Sequence, residues 1–373
     1  MKVMMMEECC AALEAAEVMV RFVNQESYQE TKNKFLMRYG ARFTAENRQK
    51  FLDKMDKIEQ IYLAVAEKLP KTPMAEFLFR KHYYGNTYSV LGQIMLLNFQ
   101  DIRCTSVNEY LDACKRRWHH TKGMQLHLRG AVFSGLSFEE GGEKLEDCLV
   151  RDIDALDVPC EFKWDLLKLL TDFDSYIEEM RKIFLEFETE LLENLQSLAP
   201  VAEEMKAFWR QKLTGQVLEE IADSMGIGRE KVEEKTVILQ LLRMACDQAV
   251  MDEQWDDRRL PLYLGICIEW GNQFEDDQVD RRLLCEELRI LSEDSKFEIL
   301  QLLKSKESYG QEIARKVGLD AATVSRHMTV LQRQGLVYVE RREGRNIYYR
   351  TNLREIRNLM ELMRKIFLEE TAS

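Results

Sequence analysis

The chain has 373 residues, 46% of them hydrophobic, and its 65 acidic and 53 basic residues give a formal net charge of −12. This length predicts two domains, or one large domain with an appendage, and the apolar residues are enough to bury real cores. Apolar runs are short, and Glu7 and Glu8 interrupt the first one, so we expect neither a membrane span nor a signal peptide. Nine cysteines without a CxxC pair are expected to be reduced thiols of a cytoplasmic protein.

Residues 1–282 are predicted to form a mostly helical, acidic domain. Ser106 and Glu109 have the spacing of a capping box, in which the serine oxygen accepts a hydrogen bond from the glutamate backbone N–H. Residues 175–198 then carry apolar side chains at helical spacing along one face. We expect this domain to sense an effector, either a small molecule or a protein, or to serve as an interaction domain.

Three histidines lie close together near the middle of this domain, a pattern that can bind Zn²⁺ or Ni²⁺. They are His119, His120 and His127. No cysteine or carboxylate is spaced to complete a coordination shell, so a solvated basic surface is the favoured interpretation. We therefore predict no metal site and no cofactor. The chain also lacks a phosphate loop, a GxSxG motif and an HExxH motif, so no enzymatic activity is predicted.

Residues 219–234 have the spacing of a helix-turn-helix, with Ala222, Gly226 and Val232 at its key positions. The second helix of this segment would carry three glutamates, whose carboxylates would repel the phosphates of DNA. We interpret the segment as a structural helical corner, which shows that this spacing alone is weak evidence for DNA binding.

Residues 258–271 place leucine and isoleucine at every second position after a proline, as a strand does. The alternating residues are Leu262, Leu264, Ile266 and Ile268. Residues 236–242 begin with β-branched side chains and are a suitable partner. The two segments therefore predict a small β-hairpin, although the later one also fits a buried helix.

The acidic charge of the chain is unevenly distributed. Residues 292–373 contain 15 Lys and Arg against 12 Asp and Glu, a net charge of +3, whereas the other 291 residues have a net charge of −15. Within residues 306–350, nine basic residues stand against five acidic ones. Because phosphate binding needs local Lys and Arg rather than a basic average, this C-terminal part is compatible with DNA binding.

Residues 283–373 are predicted to form an α+β domain, a winged helix-turn-helix. Ala314, Gly318 and Val324 have the spacing at which a small residue lets two helices cross, glycine permits the turn, and a β-branched residue fills the gap. Asp320 can cap the second helix. Two β-rich runs then surround "RREGR", the pattern of a wing. The predicted fold class is mainly α, a large helical domain with a possible hairpin followed by this winged domain.

The outward positions of these helices and of the wing carry the residues that we expect to contact double-stranded DNA. Polar and basic side chains there can read bases or bind phosphates. The predicted DNA-binding residues are Gln311, Thr323, Ser325, Arg326, His327, Arg333, Arg341, Arg342 and Arg345.

Residues 283–370 resemble the winged helix-turn-helix of ArsR-type transcriptional regulators. The resemblance rests on "ILSEDSKFEILQLL", "ATVSRHMTVLQRQGLV" and "REGRNIYYR", which are similar to the family's entry into its second helix, its recognition helix and its wing. It covers about a quarter of the chain. It implies a homodimeric DNA-binding protein, usually a repressor that an effector releases from DNA.

Two departures from the family pattern bear on function. Ala321 and Ala322 start the recognition helix where the family often has polar residues, so fewer hydrogen bonds to bases are expected there. The helix before the turn, "YGQEIARKVG", and the last helix, "LREIRNLMELMRKIFLEE", contain neither Cys nor His, so the family's familiar metal sites are missing. The alternative function is a protein-interaction scaffold, or an unidentified enzyme, that uses the winged helix for protein contacts.

The last helix is predicted to form a homodimer. Its apolar residues are spaced three and four apart, the pattern of a seam that packs against another helix. A neighbouring stripe, Leu359, Leu362 and Ile366, can pack on the chain's own core; the alternative is that one broad face serves that core alone. The predicted dimer-interface residues are Leu353, Ile356, Met360, Met363 and Phe367.

Overall fold

The structure of the chain, a computed structural model, describes residues 2–39, 45–84, 87–120, 125–126, 128, 136–137, 145–156, 158–213, 217–218, 235–251, 258–268, 285, 288–343, 346–353, 356, 359–360, 363 and 367. The chain divides into two compact units. Unit 1 contains residues 1–31, 46–82 and 89–271, and unit 2 contains residues 32–45, 83–88 and 272–373. None of the helices that the structure describes is long and apolar enough to cross a membrane.

Most of the first 213 residues are helical. Ser106 accepts a hydrogen bond from the Glu109 backbone N–H at 3.3 Å, so the predicted cap is confirmed. The apolar face predicted within residues 175–198 is buried. The helices are α1 (Ala11–Val23), α2 (Tyr28–Tyr39), α3 (Ala45–Ala66), α4 (Pro73–Phe79), α5 (Leu91–Asn98), α6 (Val107–Trp118), α7 (Leu145–Asp154), α8 (Cys160–Thr171), α9 (Phe173–Leu185), α10 (Glu188–Leu195) and α11 (Ala199–Lys212), with a 3-10 turn at Gln196–Leu198.

Unit 1 also contains a four-stranded sheet. The strands of the first 270 residues are β1 (Lys2–Met5), β2 (His82–Tyr84), β3 (Thr87–Ser89), β4 (Gln125–Leu126), β5 (Leu136–Ser137), β6 (Thr236–Leu242), β7 (Ala249–Met251) and β8 (Arg259–Gly265). The sheet has the order β1-β6-β8-β7, in which β1, β6 and β8 are parallel and β7 is antiparallel. All but the first residue of both β6 and β8 are buried, as expected for central parallel strands covered on both faces.

The two predicted strands at 236–242 and 258–271 do pair, but they do not form the predicted hairpin. Thr236 pairs with Arg259 and Leu242 pairs with Gly265, in parallel register. A hairpin needs antiparallel strands joined by a short turn. Here the connection between them includes β7, which pairs on the other side of β8. Alternating apolar residues and a β-branched start identified the strands from the sequence. Their relative direction depends instead on this connection.

Helix α1 lies at the centre of unit 1. Every residue from Ala11 to Arg21 is buried, and the helix packs against α4, α5, α6, α9 and α10. The buried Glu17 and Arg21 side chains form an ion pair at 2.8 Å. Glu14 has no exposed surface, and its carboxylate accepts hydrogen bonds from two backbone N–H groups of the segment that follows β6. These partners make the burial of charge tolerable, and they tie α1 to the end of the sheet.

Unit 2 contains the winged helix-turn-helix that the sequence predicts. Its apolar core gathers side chains from all three helices and from the start of the first wing strand. The strands form an antiparallel sheet of the order β10-β11-β9, in which β10 and β11 make the wing. The elements are α12 (Asp294–Ser305), β9 (Ser308–Tyr309), α13 (Gly310–Val317), α14 (Ala321–Arg333), β10 (Val337–Glu343) and β11 (Asn346–Thr351).

Candidate nucleic-acid interface

Helices α13 and α14 form the helix-turn-helix predicted from the residue spacing. Ala314 and Val324 are buried in the core of unit 2, and Gly318 lies between the helices with a φ of +71°. A Cβ atom at Gly318 would meet no atom within 4 Å. Because an L side chain is strained at this φ, the backbone conformation rather than crowding requires glycine at the turn.

Asp320 caps α14 as predicted and fixes its first turn. One carboxylate oxygen accepts a hydrogen bond from the Thr323 backbone N–H at 2.9 Å, and the other accepts one from the Thr323 hydroxyl at 2.6 Å. These bonds favour the ionised carboxylate and hold the pKa of Asp320 below its ordinary value. The cap leaves the next turns of α14 to present their side chains outward.

One side of α14 is exposed from its first residue to its third turn. The opposite side places Val324, Met328 and Leu331 in the core. Thr329 was not among the predicted DNA-binding residues, although its position four residues after Ser325 puts it on the same face. The major groove of DNA is wide enough to admit a helix, so this face has the dimensions for groove binding. We call the five exposed residues the outer stripe: Ala321, Ala322, Ser325, Arg326 and Thr329.

The predicted base-contacting residues of α14 divide into two groups. Ser325 and Arg326 lie on the outer stripe. Thr323 is bonded to the cap, and His327 is only 15% exposed, with its Nδ1 atom 3.5 Å from a Glu293 carboxylate oxygen. That carboxylate also accepts a hydrogen bond from the Lys296 ammonium, which lowers its pKa. His327 therefore has a partner inside the domain, whereas Arg326 points to solvent.

The remaining predicted DNA contacts lie on α13 and around the wing. Gln311 is exposed on the first turn of α13. The wing strands are paired out to Glu343 and Asn346, with a register shift between Val339 and Arg341. The structure does not describe the side chains of three further predicted residues, Arg333, Arg341 and Arg342, or any part of Arg345.

The predicted dimer-interface residues lie on a last helix that the structure describes at single positions. Ile356 packs against the core of unit 2, and Leu359 is buried. Met360 and Phe367 are 65% and 68% exposed, which is unusual for such large apolar side chains. These two residues form an apolar surface that their own unit does not cover. Leu353 and Met363 are half-buried, and Leu362 and Ile366 lie outside the described residues.

Two sequence patterns were not assigned a function: the histidine cluster and the helix-turn-helix spacing of residues 219–234. The structure describes only part of them. His119 lies 3.0 Å from an Asp174 carboxylate oxygen, and the His120 ring nitrogen lies 2.6 Å from the Arg116 carbonyl oxygen. His127 and residues 219–234 lie outside the described part of the chain. Among the residues that are described, no three His, Cys, Asp or Glu side chains are grouped as a metal site requires.

Comparison with known proteins finds similarity in the C-terminal part of the chain. Residues 293–339 match the family described as bacterial regulatory protein, arsR family. The chain is also 35% identical over 85 residues to the HTH-type transcriptional regulator KmtR of Mycobacterium tuberculosis. That match covers 23% of this chain and 63% of KmtR, so the chain spans less than two thirds of this relative.

Two similar solved structures each cover about a quarter of this chain. One is the homodimeric winged helix-turn-helix DNA-binding domain of a possible ArsR-family regulator from Mycobacterium bovis, at 26% identity, covering 27% of this chain and 95% of that chain with a TM-score of 0.22. Another is NolR from Sinorhizobium fredii, at 24% identity, covering 25% of this chain and 92% of that chain with a TM-score of 0.22.

The family match confirms the resemblance that the sequence motifs carry. It begins just before α12 and extends through the outer stripe of α14 into the first wing strand. Residues 293–339 are therefore an ArsR-family helix-turn-helix domain, and they lie within the winged helix-turn-helix that the structure shows.

Proposed function

We propose that the whole protein is a dimeric transcriptional repressor that binds double-stranded DNA with residues 283–373. The observation that carries this proposal is the outer stripe of α14 within an ArsR-family domain. No ion pair joins Arg326 to another described residue, so its guanidinium can bind a guanine edge or a phosphate. Ser325 and Thr329 add hydroxyl groups to the same face, and the alanines at its start permit close approach.

The charge distribution supports DNA as the partner. The nine basic and five acidic residues of 306–350 give this segment a net charge of +4. Neutralised phosphates release counterions, which favours binding even when the rest of the chain is acidic. The predicted arginines of the wing, Arg341, Arg342 and Arg345, are proposed to contact the DNA backbone or a minor groove beside the helix.

A homodimer is proposed from the exposed apolar surface of the last helix. Met360 and Phe367 are largely exposed, while Leu359 on the same helix is buried. A twofold axis along this surface would cover both side chains in each subunit. Two winged domains related in this way could bind two half-sites of one operator, which a single copy cannot do.

Residues 1–282 are proposed to regulate DNA binding rather than to catalyse a reaction. The family resemblance implies that an effector releases the repressor, and this large acidic part is where we place the response. The effector is a small molecule or a protein. We propose that the protein acts in the cytoplasm, where bacterial DNA is available to a regulator of this family.

The proposal is tested by selecting bound fragments from sheared genomic DNA with the purified full-length chain. We expect enrichment of sites with two related half-sites. Binding to an enriched site should weaken steeply between about 50 and 200 mM salt, because several phosphate contacts release counterions. No duplex binding at the lower salt concentration would contradict the proposal and favour a role in protein contacts.

A further inference from the structure

Unit 1 brings together three sulfur atoms from distant parts of the sequence. The Met55 Sδ atom lies 3.6 Å from the Cys267 Sγ atom and 4.0 Å from the Cys246 Sγ atom. Both thiols therefore share Met55 Sδ as a hydrogen-bond acceptor. All three side chains are buried, and both cysteines are free thiols. We call Met55, Cys246 and Cys267 the sulfur triad.

The sulfur triad sits where two parallel strands end. Cys246 follows β6 and Cys267 follows β8, and the Cys267 backbone N–H donates to the Cys246 carbonyl at 2.9 Å. A Cβ atom on Gly265 would lie only 2.1 Å from that same carbonyl oxygen, so glycine is required for the two segments to meet. The carboxyl ends of parallel strands are a common position for binding sites in α/β sheets. The backbone therefore holds the two thiols together independently of any ligand.

The spacing of the sulfur atoms suits a three-coordinate metal ion. Metal–thiolate bonds are about 2.3 Å long, so three sulfurs at the corners of a planar triangle around one ion are about 4.0 Å apart. The separations to Met55 Sδ, 3.6 and 4.0 Å, are close to this value. These are the separations expected between Met55 Sδ and each thiol sulfur when one ion binds all three.

The donor types and the nearby charges select the kind of ion. Thiolate and thioether sulfurs are soft ligands that favour Cu(I), whereas Mg²⁺, Ca²⁺ and Mn²⁺ prefer oxygen. Two thiolates and one monovalent ion leave a charge of −1, which needs a cation close by. The Arg21 guanidinium lies 3.6 Å from the carboxylate of Asp247, the residue after Cys246. Lys54, beside Met55 in the chain, donates to the Ile266 carbonyl at 3.5 Å.

We propose that Met55, Cys246 and Cys267 form a binding site for a single soft monovalent metal ion, Cu(I) in the cell. On binding, the two S–H bonds break, three metal–sulfur bonds form, and two protons pass to solvent. The oxidation state of the metal and of the sulfurs does not change. This site lies in unit 1 and uses none of the residues proposed to contact DNA, so it stands independently of the proposed function.

The site is tested with full-length protein under anaerobic conditions, using Cu(I) in competition with a chromophoric Cu(I) chelator. The background for every measurement carries Cys160→Ser and Cys285→Ser, because those two thiols are exposed and exposed thiols can bind copper without a built site. We expect one equivalent of Cu(I) to transfer to the protein. X-ray absorption at the copper edge should then show three sulfur neighbours at about 2.3 Å.

Single variants identify the ligands. Cys246→Ser and Cys267→Ser should each lower the Cu(I) affinity by more than about 100-fold, since loss of a ligand costs more than loss of a group that only orients one. Met55→Leu keeps the side-chain volume and should leave a folded protein with two sulfur neighbours in place of three. Cys104→Ser, which removes a thiol elsewhere in unit 1, is the matched control and should bind as the background does.

Two results would overturn the proposal. One is a background protein that leaves all Cu(I) with the chelator. The other is unchanged affinity in both Cys246→Ser and Cys267→Ser. Circular dichroism and the thermal midpoint report whether each variant is folded. If a serine variant is unfolded, the count of sulfur neighbours in the background protein and in Met55→Leu still decides the question.

Discussion

The His327 imidazole lies 3.5 Å from the Glu293 carboxylate, at the start of α12. This contact ties the recognition helix to the helix that supports it and leaves His327 only 15% exposed. Its neighbour Arg326, one position earlier, is exposed on the outer stripe. Both residues were predicted from the sequence to contact DNA, yet these two neighbours are in different surroundings.

This difference predicts unequal effects on DNA binding. Arg326→Ala should weaken binding to a selected site by about 1–3 kcal/mol, roughly 5- to 150-fold, if the guanidinium binds a guanine. His327→Ala should weaken it less. Lys57→Ala, on α3 of unit 1, removes the same charge from an exposed position and serves as the control. Equal losses for Arg326→Ala and Lys57→Ala in a mobility-shift titration would show that net charge rather than position matters.

The glycine that begins α13 and the glycine that follows it offer a matched test of backbone strain. Neither Gly310 nor Gly318 has an atom within 4 Å of where a Cβ would lie, but only Gly318 has a positive φ, at +71°. Gly318→Ala should therefore lower the free energy of unfolding by about 1–2 kcal/mol. Gly310→Ala should be nearly neutral. Urea unfolding of both variants measures this, and a Gly310→Ala variant as unstable as Gly318→Ala would rule out the strain argument.

The proposed dimer predicts that Met360→Glu separates the subunits. The substitution loses the burial of two methionines, worth about 1.5–3 kcal/mol each, and places two like charges near a twofold axis. We expect a monomer at micromolar concentration and a large loss of operator affinity. Because Met360 is 65% exposed in the single chain, the fold should survive. Sedimentation beside circular dichroism is the test, and a folded variant that sediments as a dimer is incompatible with this interface.

The control for the interface is an exposed apolar residue elsewhere. Leu63→Glu changes a 58% exposed leucine on α3 of unit 1. It introduces the same charge without touching the last helix. The oligomeric state and DNA affinity should then match those of the unchanged protein.

Glu14 predicts a pH dependence of stability in unit 1. Burial raises the pKa of Glu14 to about 7, even though hydrogen bonds from the Arg243 and Met244 backbone N–H groups lower it. A raised pKa means that the folded state holds the proton more tightly than the unfolded state does. The contribution of Glu14 to stability is therefore full below its ordinary pKa of 4.5 and is lost as the pH rises to about 7.

A comparison with Glu14→Gln isolates this effect. Across the window, the free energy of unfolding of the unchanged protein should fall by up to about 1.4 kcal/mol per pH unit relative to the variant. Above pH 7 the difference between the two proteins should be constant. Urea unfolding at half-unit intervals from pH 4.5 to 8 gives the two curves. Parallel curves throughout would mean that Glu14 titrates normally in the folded state.

The helix-turn-helix was predictable because its geometry is local. Ala314, Gly318 and Val324 lie within eleven residues, and their spacing is set by one turn between two helices. The environment of His327 was not predictable in the same way. Helical periodicity places His327 on the broad outward side of α14. Its surroundings also depend on the position of Glu293 at the start of another helix, and the residue spacing within α14 gives no information about that position.

In unit 1, the sequence identified strands but not how they connect. Residues 258–271 alternate and residues 236–242 begin with β-branched side chains. Both patterns indicate a buried strand, and a buried strand shows them whether its neighbour is parallel or antiparallel. Parallel pairing depends on the position of β7 and on the pairing of β1 with β6. The sulfur triad could not be predicted from the sequence for a similar reason. Met55 is 191 residues from Cys246 and 212 from Cys267 along the chain.

The pairing of β1 with β6 also has a consequence for synthesis of the chain. Lys2 pairs with Thr236 and Met5 pairs with Leu239. A ribosome that adds about 5–20 residues per second needs on the order of 10 to 50 s to make the chain between the two strands. We expect ribosome-bound chains arrested before Thr236 to expose β1 to proteases, and chains arrested well past residue 271 to protect it.

Strand β1 thus leaves the ribosome long before β6, the strand with which it pairs. During that interval its apolar residues, Val3 to Met5, have no sheet to join and are open to chaperones. The rate of translation, as well as the stability of the finished sheet, therefore determines how long each new molecule is vulnerable to aggregation.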